Sequence, residues 1–302
     1  VLAAGVPGTF PVKTLLLVDG MAYVYRAFYA IPAMANRAGV PTNATFGFAR
    51  MLQHMLSDAL PDYVAVAFDA KEPTFRHERY AAYKAQRPPM PDELAEQLPW
   101  IREYVRALNI RCLEYPGYEA DDVIATVARR SVAHDCRALI ATSDKDLCQL
   151  VSPQIAILRS GLQESEVLDE TAVRDKFGVT PQQIVDYLIL VGDSADNVPG
   201  VPGIGPKTAQ ALLNEYGTLD NVYAHLEALK PAVRDKLKAA QDDIAHLRML
   251  LQVHTDVPVN ETLDDLQMRD ADQDALGRLR DFLGFGSARA AAPPPAPQPE
   301  LF

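Results

Sequence analysis

Three short apolar runs mark the first half of the chain, and each leads into an acid. Lys13–Val18 (KTLLLV) ends at Asp19, Tyr63–Phe68 (YVAVAF) at Asp69, and Ala138–Thr142 (ALIAT) at Ser143-Asp144. Unbroken apolar runs of this length, bounded by turn residues, read as strands covered on both faces. Helical patterning fills the intervals, over about 42–59, 92–109 and 119–134. Strands alternating with helices predict an α/β fold, with a mainly parallel central sheet flanked by helices. Ligands bind such sheets outside the carboxyl ends of the strands. All three runs place their first acid at that end, which points to one shared site.

Residues 71–91 (KEPTFRHERYAAYKAQRPPMP) interrupt the alternation. The stretch is basic, aromatic and proline-punctuated, and reads as an excursion above the strand ends. Beyond about 180 the strand signals stop. Pro181 opens a helix at its first turn, a glycine-rich loop follows Gly192, and further helices run to about 285. The expected organisation is a disordered 1–12, a core over 13–180, a helical subdomain over 181–285, and a flexible Pro/Ala-rich tail over 286–302.

Composition sharpens this picture at two points. An apolar content of 48% excludes global disorder. The formal net charge of −11 argues at first against nucleic acid. Nine of the acids, however, stand in short clusters: Asp19; Asp69; Glu119, Asp121 and Asp122; Asp144 and Asp146; Asp193 and Asp196. Crowded carboxylates raise each other's pKa unless cations join them. Hard divalent metals with oxygen ligands resolve the conflict, and magnesium or manganese in such a site points to phosphate chemistry. Cys112, Cys136 and Cys148 have no metal-ligand spacing and read as plain thiols of a reducing, cytoplasmic compartment. No apolar run approaches the roughly 20 residues of a membrane span. The six histidines are scattered and carry no assigned role.

Each motif has a plainer competitor. Glu119-x-Asp121-Asp122 opens a helix, where acids also serve as caps. Asp144-x-Asp146 suits a cap as well, and Asp193 and Asp196 suit a turn. The clusters together are more specific than any one of them. Gly203-Ile204-Gly205-Pro206-Lys207-Thr208 allows close backbone approach and opens a helix whose free N–H groups suit a DNA phosphate, with Lys207 and Thr208 adding charge and a hydroxyl. Its competitor is an unliganded helix–loop–helix turn. Lys71, Arg76, Arg79, Lys84 and Arg87 are interleaved with Phe75, Tyr80 and Tyr83, a pattern that fits phosphate pairing and base stacking, against a solvated loop. Lys84 or Arg87 would offset charge on a reacting phosphate.

Several blocks together resemble the 5′-nuclease family, which comprises the 5′→3′ exonuclease domain of bacterial DNA polymerase I, phage exonucleases and flap endonucleases. They are LLLVDG at 15–20, VAFDAKEPTFRHERYAAYKAQRPPMP at 66–91, GYEADDVIATVA at 117–128, TSDKDLCQLV at 142–151 and LVGDSADNVPGVPGIGPKTA at 190–209. The resemblance covers about 13–285. It implies a PIN-like nuclease core, a helical arch and a helix–three-turn–helix DNA-binding element. It further implies hydrolysis of phosphodiesters near 5′ ends of flapped, nicked or branched DNA, or of RNA primers on DNA, with two magnesium or manganese ions and no protein nucleophile. By motif match, Asp19, Asp69, Glu119, Asp121 and Asp122 would serve a first metal, directly or through water. Asp144, Asp146, Asp193 and Asp196 would serve a second. Arg76, Lys84 and Arg87 would contact the phosphate from the arch, with Phe75, Arg79, Tyr80 and Tyr83 beside them. Gly203, Ile204, Gly205, Lys207 and Thr208 would grip duplex DNA, with a potassium ion at the loop. Ala195 stands where relatives often carry Ser. A monomer with no membrane partner is expected.

The tail ends Gln298-Pro299-Glu300-Leu301-Phe302. Gln298, Leu301 and Phe302 resemble the bacterial sliding-clamp-binding peptide, with a bare disordered end as the competitor. Two rivals remain for the whole chain: a non-catalytic DNA-structure binder, against which the full set of acids counts, and a metal-dependent phosphatase using Asp144-x-Asp146, against which the glycine-rich loop and the arch count.

Overall fold

The computed structural model describes residues 12–161 and 164–285. Its strands are β1 (Thr14–Asp19), β2 (Tyr63–Ala67), β3 (Arg111–Leu113), β4 (Arg137–Ala141), β5 (Ile155–Ser160) and β6 (Ser165–Leu168). They form one sheet in the order β3–β2–β1–β4–β5–β6, parallel throughout except for the antiparallel β5–β6 pair. β1 is central. The chain steps to β2 on one side and later to β4 on the other, so the strand order reverses between β1 and β4. Such a reversal leaves a crevice at the strand ends where ligands bind.

The helices of the first part are α1 (Gly20–Ala30), α2 (Asn43–Ala59), α3 (Phe75–Arg79), α4 (Asp92–Ala95), α5 (Leu98–Ala107), α6 (Ala120–Val132) and α7 (Glu170–Phe177). Those of the second are α8 (Ile184–Val191), α9 (Pro206–Tyr216), α10 (Leu219–Ala224), α11 (Pro231–Ala240), α12 (Ile244–Leu251) and α13 (Gln273–Leu283). The unbroken apolar runs are explained by two cores. Leu15 and Leu17 of β1 pack with Val123, Ile124 and Val127 of α6 on one face. Leu16 and Val18 pack with Tyr23, Phe48, Leu52 and Ile101 of α1, α2 and α5 on the other.

Local chemistry sets the element ends. Asp19 closes β1 and caps α1, its Oδ1 accepting from the Ala22 N–H at 3.0 Å. Gly20 is needed there because a Cβ would stand 2.5 Å from the Phe68 ring and 2.7 Å from the Ala67 carbonyl. The single helix expected over 92–109 is two. Pro99 lacks an N–H and sits in the first turn of α5, so the break falls just before it.

The helical region expected over 181–285 does not stay apart from the sheet. α13 returns to the second core through Leu276, Leu279 and Leu283, and its Phe282 ring lies 4.5 Å from Trp100 of α5. Gln267 bridges to Tyr63 of β2. These are long-range contacts, to which sequence periodicity is blind. No helix among the described residues is long and apolar enough to cross a membrane.

Candidate metal centre

Five of the nine acids line one cavity of about 940 Å³ at the strand ends: Asp19, Asp69, Glu119, Asp121 and Asp144. Three others, Asp146, Asp193 and Asp196, form a second group whose carboxylate oxygens lie within 4.8 Å of one another. All three of these are buried. The ninth, Asp122, is fully buried and does not line the cavity.

Local bonds of the capping and turn kind occupy part of these carboxylates and leave capacity to spare. Asp19 caps α1 with Oδ1 while Oδ2 accepts from the Thr142 hydroxyl at 2.8 Å. Asp69 Oδ1 accepts from the Ala120 N–H at 2.9 Å. Asp144 Oδ1 accepts from the Asp146 N–H at 2.9 Å, and Asp193 Oδ1 from the Ala195 N–H at 2.9 Å. An ionised carboxylate has about four lone-pair positions, so a carboxylate can cap and ligate together. Burial pushes Asp19 up to about 6 against the pull of its two donors, with Asp69 and Asp144 adding to the rise. Burial, then Asp144 and Asp19, push Asp121 well above the usual carboxylate range. Asp146 is driven the same way by burial and by Asp144. Its Oδ1 is shielded from solvent with no hydrogen-bond partner among the described residues.

The basic segment closes over these acids. Lys84 Nζ donates to Glu119 Oε1 at 2.7 Å and lies 3.7 Å from Asp196. Arg87 Nη2 donates to Asp196 Oδ1 at 2.6 Å. Burial alone would lower the Lys84 ammonium, but Glu119 and Asp196 outweigh it and hold it above its ordinary value. Both Lys84 and Arg87 line the cavity. The segment has one short helix, α3, followed by turns that dock on the 194–197 loop. Gln86 Nε2 donates to the Ser194 and Ala195 carbonyls, and the Lys84 N–H to that of Asp196.

Three of the expected DNA-contacting groups are placed elsewhere. Arg76 is 2% exposed. It forks onto Asp122 at 2.7 and 2.9 Å, reaches Glu119 at 3.1 Å, and donates to the Leu250 and Gln252 carbonyls. Asp122 also accepts from the Glu119 and His254 N–H groups. This pair therefore ties α3, α6 and the end of α12 together beneath the site. Tyr83, expected to stack on bases, is 3% exposed. Its hydroxyl sits 3.0 Å from Glu119 Oε2 and 2.8 Å from Asp196 Oδ2, joining the two acid groups. Ile204 is buried core. Phe75 packs edge-on to His254 at 4.5 Å and Tyr80 to His246 at 5.6 Å, both half-buried, while Arg79 is exposed.

Pattern reading missed Lys145, whose Nζ reaches Asp193 Oδ2 at 2.6 Å and Asp146 Oδ1 at 3.6 Å. Its place between two site acids was the available signal. It also missed Thr142 and Lys236, which lacked one. At the glycine-rich loop, Gly205 caps α9 and faces open space, and Lys207 is exposed with Thr208 half-buried beside it. The Gly203 carbonyl accepts from Lys236 Nζ at 2.9 Å, so one carbonyl of the loop expected to hold a potassium ion is already engaged. Gln298, Leu301 and Phe302 lie outside the described residues.

A parallel sheet with acids at the reversal point of its strand order, beneath a basic segment and beside a glycine-opened helix, defines a phosphoryl-chemistry site. The chain belongs to the 5′-3′ exonuclease family. Residues 14–178 match the model of the 5′-3′ exonuclease N-terminal resolvase-like domain, and 179–274 that of the 5′-3′ exonuclease C-terminal SAM fold. A 5′-3′ exonuclease of Aquifex aeolicus is 41% identical over 264 residues, covering 87% of this chain and 90% of that one. The thermostable DNA polymerase I of Thermus thermophilus is 42% identical over 300 residues, 96% of this chain but 35% of the polymerase. This chain thus spans about a third of the length of its polymerase relatives. Two solved structures share the fold. T5 5′-exonuclease with bound zinc has a TM-score of 0.64 at 20% identity, covering 90% of this chain and 99% of that one. The catalytic core of Rad2 in complex with DNA has a TM-score of 0.59 at 17% identity, covering 90% and 88%.

Proposed function

We propose that this protein is a divalent-metal-dependent 5′→3′ exonuclease and flap endonuclease, cutting DNA phosphodiesters near 5′ ends at flaps, nicks or RNA primers. The observation that carries the reading is the pairing of a five-acid cavity with a separate buried trio, in which Asp146 Oδ1 accepts no hydrogen bond from the described residues. Hard oxygen donors with an unsatisfied buried member fit magnesium or manganese. Asp19, Asp69, Glu119, Asp121 and Asp144 would hold one ion, and Asp146, Asp193 and Asp196 a second. Such ions supply positive charge for activating water and steadying the departing 3′ oxygen.

The chain's own groups do the rest. Lys84 presents an ammonium at the cavity wall, where it would offset charge growing on the phosphate. Arg87, half-held by Asp196, would pair with a neighbouring phosphate. Tyr83 and the Arg76–Asp122 pair position Glu119 from below. Gly205, Lys207 and Thr208 would hold duplex DNA at the start of α9. A potassium ion that used the Gly203 carbonyl of that loop would have to displace Lys236 from it. Three free thiols suit a cytoplasmic setting. Gln298, Leu301 and Phe302 would dock a sliding clamp, and deleting the last five residues is expected to abolish clamp pull-down while leaving cleavage intact.

The test is a 5′-labelled flap duplex incubated with magnesium, and separately with excess chelator, the products being resolved on a gel. Cleavage near the junction with magnesium alone is expected. Binding without cleavage in magnesium or manganese would replace the enzyme with a DNA-structure binder.

A further inference from the structure

The buried trio is held by the protein's own cations, and they do not engage its oxygens equally. Asp196 is occupied on both: Oδ1 accepts from Arg87 Nη2 at 2.6 Å and Oδ2 from the Tyr83 hydroxyl at 2.8 Å. Asp193 Oδ1 is committed to the Ala195 N–H at 2.9 Å. Among the oxygens left are Asp193 Oδ2 and Asp146 Oδ1, and both face one ammonium. Lys145 Nζ donates to the first at 2.6 Å and stands 3.6 Å from the second, too far for a hydrogen bond. These are the ion pairs that Lys145 makes among the described residues, and neither involves an acid of the cavity. The lysine is the partner with room to move, its side chain being 34% exposed against 3% for Asp193. Lys145 lines the cavity of about 940 Å³, and the trio does not. The ammonium thus has open space to turn into, and the carboxylates have none.

Resting on the two-ion reading above, we infer that Lys145 is a displaceable counter-ion of the second acid group: it holds Asp193 and Asp146 in the metal-free protein and swings into the cavity to admit an ion. A divalent ion on Asp193 Oδ2 and Asp146 Oδ1 would otherwise stand within a few ångström of the ammonium on the same oxygens, and like charges so close repel strongly away from bulk water. Lys145 acts through the two carboxylates, as a positioning residue, and sets the ion concentration at which the second group fills. The same exchange lets three buried acids coexist without metal, because the ammonium supplies positive charge until an ion replaces it. The competing explanation is a fixed brace, an ammonium that stays on Asp193 and holds its carboxylate in place for the ion. The two differ in sign. A displaceable counter-ion opposes the ion, and a brace assists it.

The experiment titrates manganese into the metal-free full chain by calorimetry, without DNA, for wild type, Lys145→Met, Lys145→Gln and Lys145→Arg. Wild type is expected to show two classes of ion. An adjacent opposite charge changes a carboxylate's affinity for a proton by roughly ten- to a thousandfold, so one class should tighten by about tenfold or more in the two neutral variants. The other class should stay unchanged, and Lys145→Arg should keep the wild-type affinities. A single class in wild type that becomes two in Lys145→Met would be the limiting form of this result. Without ions the neutral variants should melt below wild type, and manganese should raise their Tm by more. A second measurement needs no variant. Lys145 of wild type, labelled with acetic anhydride and followed by mass spectrometry, should react several-fold faster with manganese bound, because its ammonium has left Asp193. Unchanged affinities in both neutral variants would overturn the proposal. Weaker binding in them, with Lys145 still protected from label in manganese, would replace the counter-ion by the brace. Wild type that binds no manganese would show that the two-ion reading itself fails, and the role of Lys145 with it.

Discussion

Asp122 and Asp146 bring the same carboxylate into the same acidic neighbourhood and meet opposite conditions. Asp122 is fully buried but surrounded by donors from Arg76, Glu119 and His254. Asp146 has a buried oxygen that accepts no hydrogen bond from the described residues, with only the Lys145 ammonium at 3.6 Å. Removing one member of a buried pair strands the other charge, so Arg76→Met is expected to cost about 3–5 kcal/mol in urea unfolding. Replacing Arg76 and Asp122 together by apolar residues should recover most of that loss. Asp146→Asn should behave in the reverse sense. It relieves burial of a charge and repulsion from Asp144, so the metal-free protein should gain stability, read as a higher urea midpoint, while flap cleavage is abolished and DNA binding is largely kept. Wild-type turnover in that variant would sink the metal assignment. At Cys148, burial pushes the thiol from its usual 9.0 up to about 11. The folded thiol therefore stays protonated where the unfolded one ionises, so this group removes stability between pH 9 and about 11 and nothing below. At pH 8, thiol reagents should reach Cys148 only after unfolding, as followed by absorbance with and without denaturant.

The loop from Gly192 to Gly205 shows two glycines used for different reasons. Gly200 presses on the backbone at Gly192, where a Cβ would stand 2.4 Å from main-chain atoms. Gly205 faces open space. Gly200→Ala should therefore destabilise by roughly 1–3 kcal/mol, whereas Gly205→Ala should leave the melting temperature nearly unchanged and weaken duplex binding. Equal effects on stability would remove the case for a ligand at Gly205. The basic segment over 71–91 teaches a related lesson. Its location above the strand ends was legible from its composition and its place after β2. The direction of each side chain was not, because Arg76 and Tyr83 turn inward only when α6 and the 193–197 loop come to meet them. Charge and aromaticity mark what a residue can do, and packing chooses whether that is turned toward solvent or toward a buried acid.

Over the whole molecule, eight of the 40 acids gather in the cavity and the buried trio at the strand ends, and the protein's own cations already restrain them. Lys84, Arg87 and Lys145 each bridge to a site acid. Divalent ions that bind the folded chain alone should stabilise it by mass action, about 2.7 kcal/mol at a hundredfold excess over Kd. For a chain of this size that corresponds to a rise of several degrees in Tm. The shift should vanish with chelator and shrink strongly in Asp146→Asn. A Tm indifferent to magnesium and manganese would mean that the acids serve the fold through these lysines and arginines.

The apolar runs ending in acids determined by themselves the parallel sheet, the edge on which the site forms and the set of acids that could form it, because strand periodicity and chain order are local properties. The helical loop at 203–208 was legible for the same reason. What only the tertiary structure decided is the division of labour within that set. Eight acids gather around a cavity and a buried trio, while the ninth, Asp122, is held by Arg76. The return of α13 to the sheet belongs to the same class. Each depends on which distant segments meet, and residues far apart in the chain leave no periodic trace of that meeting.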